Sequence, residues 1–439
     1  MMLGSVWLDT CKIREFKTLH GAVKTDVLVV GGGLCGILCA YFLQQEGIDY
    51  VLVEKDRIAG GITKNTTAKI TAQHGLIYDR LLESEGREKA AMYLKANQKA
   101  MEKYRELAVK VNCDFEEKQA GVYSCIDRGK IEKEVKALES LGFPALFAES
   151  LPLPFDIEGA VIFPDQAQFH PLKFIAGIAD GLKIFEYTFV EKIEGNTVWT
   201  DRGKIVADKI IVASHFPLIN RHGCYFLKLY QQRSYVIALE NAPDVAGMYI
   251  DESPDGYSFR NYQALLFIGG GSRRTGKPGK KWEKLRKFAH TVYPEANEVY
   301  SWAAQDCMSL DGIPYIGNYS KNTPNLYVAS GFNKWGMTSS MAAAEILCDL
   351  AAGRDNEFAE LFSPGRSMLK PQLLVNGLEA AGNLLYPSTK RCSHMGCALR
   401  WNEQEHTWDC PCHGSRYQED GTVIDNPALY SISKGKERN

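Results

Sequence analysis

The residues VLVV at 27–30 are apolar without alternation, which is the pattern of a strand buried on both faces. LCGILCAYFLQQEG follows and reads as a helix ending at Gly47; DYVLVE then reads as a second buried strand. Together they make a strand–helix–strand unit. Residues 86–111 place apolar positions near helical spacing with charges between them, which predicts a long amphipathic helix. From about 115 to 270, strand candidates are separated by Gly, Asn and Asp turns, and the stretch TFVEKIEGNTVWTDRGKIVADKIIVAS predicts hairpins running into a buried strand at Ile210–Ala213. NLYVAS (325–330) is a further strand, followed by GFNKWGMTSS and a helix over MAAAEILCDLAAG. SPGRSMLKPQ (363–372) mixes Pro, Gly and charge and marks a boundary, with a short helical connector beyond it. The pattern therefore divides the chain into an irregular arm at 1–24, a main α/β unit at 25–365, a connector helix at 366–384 and a C-terminal unit at 385–439.

The composition refines this picture only a little. A chain of 439 residues exceeds one small core, and its 45% apolar and 24% charged residues are ordinary for a globular protein. A net charge of −2 provides no global field toward nucleic acid or an anionic surface. The run Val27–Leu43 is too short and too rich in glycine for a membrane span of ~20 residues. The opening MMLGSVWLDTCKIREF lacks the basic-then-apolar pattern of a secretory leader. Twelve cysteines, four of them gathered near the C-terminus, suit a reducing compartment with one special site, so a cytoplasmic location is expected.

Gly31, Gly33 and Gly36 form GxGxxG between strand and helix, and Glu54 closes the second strand. This spacing gives a tight turn, a close backbone approach to pyrophosphate and an acid for the ribose hydroxyls. A second glycine-rich stretch, FIGGGSRRTGK (267–277), has Arg274 where a third glycine should be and no helix after it, so one dinucleotide site is expected. DGIPYIG (311–317) with GFNKWGMTSS (331–340) resembles the closing motifs of the D-amino-acid-oxidase superfamily of flavoproteins, over roughly residues 24–360. The resemblance implies FAD, with Gly331, Gly336, Met337 and Thr338 along the pyrimidine edge of the flavin and Val190 at the adenine end. Small and hydroxyl residues in GGITKNTTAKITAQHGLIY, among them Gly61, Thr66 and Thr67, suit a loop beside pyrophosphate and flavin. TAQHGL also resembles the stretch through which some amine dehydrogenases of the superfamily attach FAD covalently, which makes His74 the candidate for such a bond. One departure concerns the substrate. WAAQDCMSLDG carries Gln305, Asp306 and Cys307 where many relatives place a carboxylate-holding arginine, and Arg233, Arg260, Arg273 and Arg274 are the possible replacements. His74, His215 and Tyr257 are the candidate catalytic bases.

CSHMGC (392–397) and CPCHGS (410–415) supply a Cys2His2 set that zinc would also accept. With the flanking residues, the pair resembles the Rieske iron–sulfur motif over about residues 390–428. The resemblance implies a 2Fe–2S cluster with Cys392 and Cys410 on one iron and His394 and His413 on the other. It also implies a Cys397–Cys412 disulfide, sulfur hydrogen bonds from Ser415 and Tyr417 that raise the potential, and a covering loop at Asn426-Pro427-Ala428. Only LLYPSTKR separates the connector from the first box, so the domain reads as truncated, with strands borrowed from its neighbour as one solution.

The whole chain resembles a bacterial family of FAD-dependent oxidoreductases fused to a Rieske domain. The fold implied is a Rossmann-like α/β FAD domain with an antiparallel-sheet substrate domain, plus a small all-β cluster domain. The function implied is oxidation of a small substrate, an amine or amino acid, with electrons leaving singly through His394 or His413 at the surface to a ferredoxin or quinone pool. The alternatives are a reductase fed through the cluster and an electron-transfer or redox-sensing module without a specific small substrate.

Overall fold

The strand Gly21–Val30 lies at the middle of an eight-stranded sheet, hydrogen-bonded in parallel to Gly203–Val212 on one side and Tyr50–Val53 on the other. A computed structural model describes residues 2–220, 222–279 and 281–432. Leu326–Ser330 and Ile184–Phe185 extend the parallel core, and Tyr315–Asn318 closes one edge antiparallel. Val27 to Val30 are all buried, as the unalternating pattern requires. The helix Leu34–Gln45 leaves the glycine turn and packs on the helix Gly336–Ala351, whose alanines allow close approach.

A ten-stranded, mainly antiparallel sheet forms the second layer. Its longest strands are Tyr230–Glu240, Leu265–Arg274 and Asn297–Met308, which pair side by side. The predicted amphipathic helix is present as Arg87–Ala108. The stretch 267–277 lies largely in the strand Leu265–Arg274; against the expectation of no helix after it, the helix Lys281–Val292 begins shortly beyond.

The N-terminal residues differ from the irregular arm expected. Met2–Leu3 adds a short strand and Val6–Thr10 is helical. Trp7 is fully buried against His170, Tyr262 and Phe267, and its indole donates to the Thr66 carbonyl at 2.8 Å. Burying one large indole ties the segment down more firmly than its polar neighbours suggest. The strand Gly21–Val30 also begins earlier than its apolar half, because residues 21–24 are exposed at its start.

The connector is the helix Pro371–Leu385. Beyond it, Arg400–Asn402, Thr407–Asp409, Arg416–Gln418 and Val423–Asp425 form a four-stranded antiparallel meander. Its core is small: four cysteines with Leu399, Tyr417 and Ala428. Among the described residues none of its strands pairs with the larger sheets, so no strands are borrowed. The unit docks through side chains instead. Residues 433–439 of the expected C-terminal unit, and Met1 of the arm, lie outside the described residues.

Candidate cofactor sites

The glycine turn opens on a cavity of about 800 Å³. Gly31 has φ +111°, and a Cβ there would lie 2.6 Å from the Ala213 carbonyl oxygen; a Cβ on Gly36 would lie 1.9 Å from the Gly31 oxygen. These two glycines are therefore required by the turn and by helix–strand packing. The Gly32 N–H donates to Glu54 Oε2 at 2.7 Å and the Asp56 N–H to Oε1 at 3.0 Å, which fixes the carboxylate at the cavity wall. Burial raises the Glu54 pKa, and the two N–H donors act against that shift. Gly31, Gly33, Glu54, Gly61, Thr66, Thr67, Val190, Gly331, Gly336 and Met337 all line the cavity. Gly36 and Thr338 do not: Gly36 packs on the turn, and Thr338 bonds His74 and the Thr71 carbonyl. A long cleft with a glycine turn and a ribose-height acid fits a dinucleotide.

His74 stacks on Trp335 at 4.9 Å. The Tyr93 hydroxyl donates to Nδ1 at 2.7 Å, and Nε2 meets the Thr71 carbonyl at 2.9 Å. Both nitrogens are thus engaged within the protein, while the ring itself lines the cavity. Burial pushes its pKa down to about 3, which keeps the ring neutral. His215 lines the cavity and bonds Gln231 Oε1 at 3.1 Å; Tyr257 lines it too and stacks on Phe288.

Three of the four arginines considered for substrate have structural partners. Arg233 pairs with Glu405, Arg260 donates to the Thr67 and Ala68 carbonyls, and Arg274 donates to the Pro411 and Cys412 carbonyls. Arg273 is half-exposed and faces Asp255 at 3.8 Å. Arg233 lines the cavity as well, and sequence reasoning passed over further charged groups there, among them Asp306, Lys334 and Lys69. Burial raises the Asp306 pKa to about 6, with Lys334 opposing the shift. Lys69 is pushed down to about 7 by burial and by Arg260. Lys334 Nζ bonds Ser272 Oγ. The only sequence signal for Asp306 was the absence of the usual arginine beside it.

In the C-terminal boxes the His394 and His413 rings stand perpendicular, 5.0 Å apart. His394 Nε2 donates to Asn220 Oδ1 at 2.9 Å and His413 Nε2 to the Phe226 carbonyl at 2.8 Å. Both Nδ1 atoms are buried without a hydrogen-bond partner. With the proton on Nε2, each Nδ1 lone pair is free to bind metal. Burial holds both rings neutral, at about 3 for His394 and about 4 for His413. The Tyr417 hydroxyl lies 3.2 Å from Cys392 Sγ, and Ser415 Oγ accepts from the Ala428 N–H at 3.0 Å. Two buried thiols and two orphaned imidazole nitrogens fit an iron–sulfur cluster. Cys397, Cys410 and Cys412 have their sulfurs within 4.8 Å of one another. The two cysteines expected to pair, Cys397 and Cys412, are thus close neighbours, and the Cys412 thiol also faces the Glu379 carbonyl at 3.9 Å.

His413 is buried and His394 is half-buried, so neither stands open at the surface. Loops of the larger unit cover them: Phe216 packs on both rings, at 6.0 and 6.3 Å, and Asn220 and Phe226 occupy the Nε2 atoms. Phe216 simultaneously lines the large cavity, as do Asp425, Asn426, Ala428 and Leu429 from the C-terminal unit. Gln231 Nε2 donates to the His413 and Asn426 carbonyls, and Gln305 Nε2 to the Gly414 carbonyl at 2.9 Å. A buried charge cluster seals this contact. Arg416 meets Asp409 and Glu405, and Glu405 meets Arg233.

The family model described as FAD dependent oxidoreductase matches residues 26–350, and the one described as Rieske [2Fe-2S] domain matches residues 364–434. The chain is 33% identical to the "Putative Rieske 2Fe-2S iron-sulfur protein YhfW" of Bacillus subtilis (strain 168), over 98% of this chain and 96% of that protein. It is 25% identical to the gamma-glutamylputrescine oxidoreductase of Escherichia coli (strain K12), over 82% of this chain and 93% of that one. The crystal structure of glycine oxidase from Geobacillus kaustophilus superposes with a TM-score of 0.67 at 19% identity, covering 79% of this chain and all of that one, which shows a shared fold.

Proposed function

The chain belongs to the FAD dependent oxidoreductase family and carries a C-terminal Rieske domain that binds a 2Fe–2S cluster, and from that premise we propose that it is a dehydrogenase of small amines that passes electrons singly to an external carrier. When bound, FAD supplies two-electron chemistry and the cluster one-electron chemistry. Gly31, Gly33, Gly36 and Glu54 hold the nucleotide end of FAD, with Gly61, Thr66, Thr67 and Val190 along its length. Gly331, Gly336, Met337 and Thr338 support the flavin end. Cys392, Cys410, His394 and His413 hold the cluster, and Ser415 and Tyr417 tune it.

The observation that carries the reading is the shared wall. Phe216 faces the cavity and both cluster histidines, and His215 connects through Gln231 to the His413 carbonyl. An amine is favoured over an amino acid because three of the candidate arginines are committed to the protein, whereas the Asp306 carboxylate faces the cavity. In its ionised form that carboxylate attracts a substrate ammonium, and Lys334 and Lys69 keep the wall from being uniformly negative.

Anaerobic mixing of the holoprotein with a panel of amines tests this reading. At least one amine is expected to bleach the flavin, followed by the EPR signal of the reduced cluster at a rate independent of protein concentration. A bleached flavin beside a cluster that stays oxidised would overturn the wiring. No bleaching by any amine would overturn the substrate class.

A further inference from the structure

The connector helix Pro371–Leu385 is inside out. Its buried positions are polar, Asn376 and Asn383, while its outward face carries Leu374, Val375, Leu378 and Leu385. Leu374 is 69% exposed, Leu378 66% and Leu385 84%. At 100° per residue, Pro371, Leu374, Leu378, Ala381 and Leu385 fall on one stripe, and no charged residue interrupts it. The inward asparagines have specific partners. Asn376 takes Arg274 Nη1 at 2.9 Å and donates to the Leu227 carbonyl, and the Asn383 backbone carbonyl accepts from the Ala398 N–H. The orientation is thus pinned by hydrogen bonds, and the leucines face outward as a consequence.

We propose that this stripe is a membrane-surface docking site, on which the helix lies in the interface of an anionic bilayer without crossing it. Charge selects this occupant. Arg391 and Arg400 stand at the C-terminal end of the stripe, whereas Lys370 at its N-terminal end is paired with Glu85 at 2.7 Å. Arg391 donates to the carbonyls of Leu384, Tyr386 and Gly396, and Arg400 lies 3.5 Å over the Tyr386 ring and donates to Asn383 Oδ1; none of these partners is an acid. A leucine stripe that ends at two arginines without acidic partners and a tyrosine resembles the anatomy of helices that lie on lipid. No described helix is long and apolar enough to cross a membrane, which agrees with a surface contact. The site backs directly onto the cluster loops, since the Cys412 thiol points at the Glu379 carbonyl of this helix and Met395, 40% exposed, follows the ligand His394.

Vesicle flotation of the full-length holoprotein tests the proposal and does not depend on knowing the substrate. The protein should float with vesicles of phosphatidylcholine mixed with phosphatidylglycerol, and at least tenfold less well with phosphatidylcholine alone. The double variant Leu374→Glu/Leu378→Glu should lose at least tenfold in binding while keeping its flavin absorbance and its cluster EPR signal. Failure of the wild type to float, or undiminished flotation of a variant that retains both cofactors, would overturn it. So would a dimer by mass measurement that the same variant dissociates, because a second copy would then cover the stripe.

Discussion

Asp306 illustrates how one side chain can set substrate preference. Its pKa of about 6 is raised by burial, so it is neutral in acid and becomes charged as the pH rises through that value. Amine affinity is therefore expected to strengthen across this interval. Asp306→Asn should weaken amine binding at least tenfold and flatten the pH profile, as read by anaerobic titration of flavin bleaching, with flavin content unchanged. Gly36 makes a different point. Its absent Cβ is required by backbone 1.9 Å away, so Gly36→Ala should purify largely without flavin, as read by the absorbance ratio of flavin to protein. Glu134 links residue to stability. It accepts from the Tyr78 and Asp79 N–H groups inside the fold, and burial raises its pKa from 4.5 to about 7. Between those values the native state binds more protons than the unfolded state, so stability falls as the pH rises through the window, by roughly 3 kcal/mol. Glu134→Gln should remove that slope in melts at about pH 5 and about pH 8.

Among the elements, the interface between the meander and the larger sheet depends on a buried charge network rather than on strand pairing. Arg233 and Glu405 are 11% and 8% exposed at their side chains, and Arg416 joins them. Arg233→Ala leaves Glu405 with one cation fewer in a buried setting, and removing one partner of such a pair costs about 3 kcal/mol. The melting temperature should drop, and cluster reduction by the bleached flavin should slow more than flavin bleaching does, as read by stopped-flow absorbance. The elements were also the most legible part of the sequence. Unalternating VLVV, the GxGxxG turn and the period of residues 86–111 each rest on local physics, and each element formed as read. Trp7 was not legible, because nothing near it in the chain reveals that His170, Tyr262 and Phe267 surround it. The same holds for the cluster histidines. Their ligand spacing is local and readable, but their cover comes from Phe216, Asn220 and Phe226, which are more than a hundred residues away. The protein partners of Arg233, Arg260 and Arg274 were hidden for the same reason: a charge in a strand does not announce which carbonyls or acids it will meet.

At the scale of the molecule, the cover over the histidines narrows the expected route for electrons. A cluster open through both imidazoles would offer a carrier either ring, whereas here His413 is buried against the flavin-binding unit and only the half-buried His394 retains exposure. Oversized or bulky reductants that act only at exposed histidines should therefore reduce this cluster slowly, while substrate reduces it promptly.

The meander contributes Asn426, Ala428 and Leu429 to the same cavity on which the glycine turn opens, the chamber proposed for the substrate. Grafting a relative's terminal segment onto this chain would consequently do more than install a different redox potential. It would recast part of the mould into which the reactant fits, so that the choice of fuel and the outlet for current are inherited together.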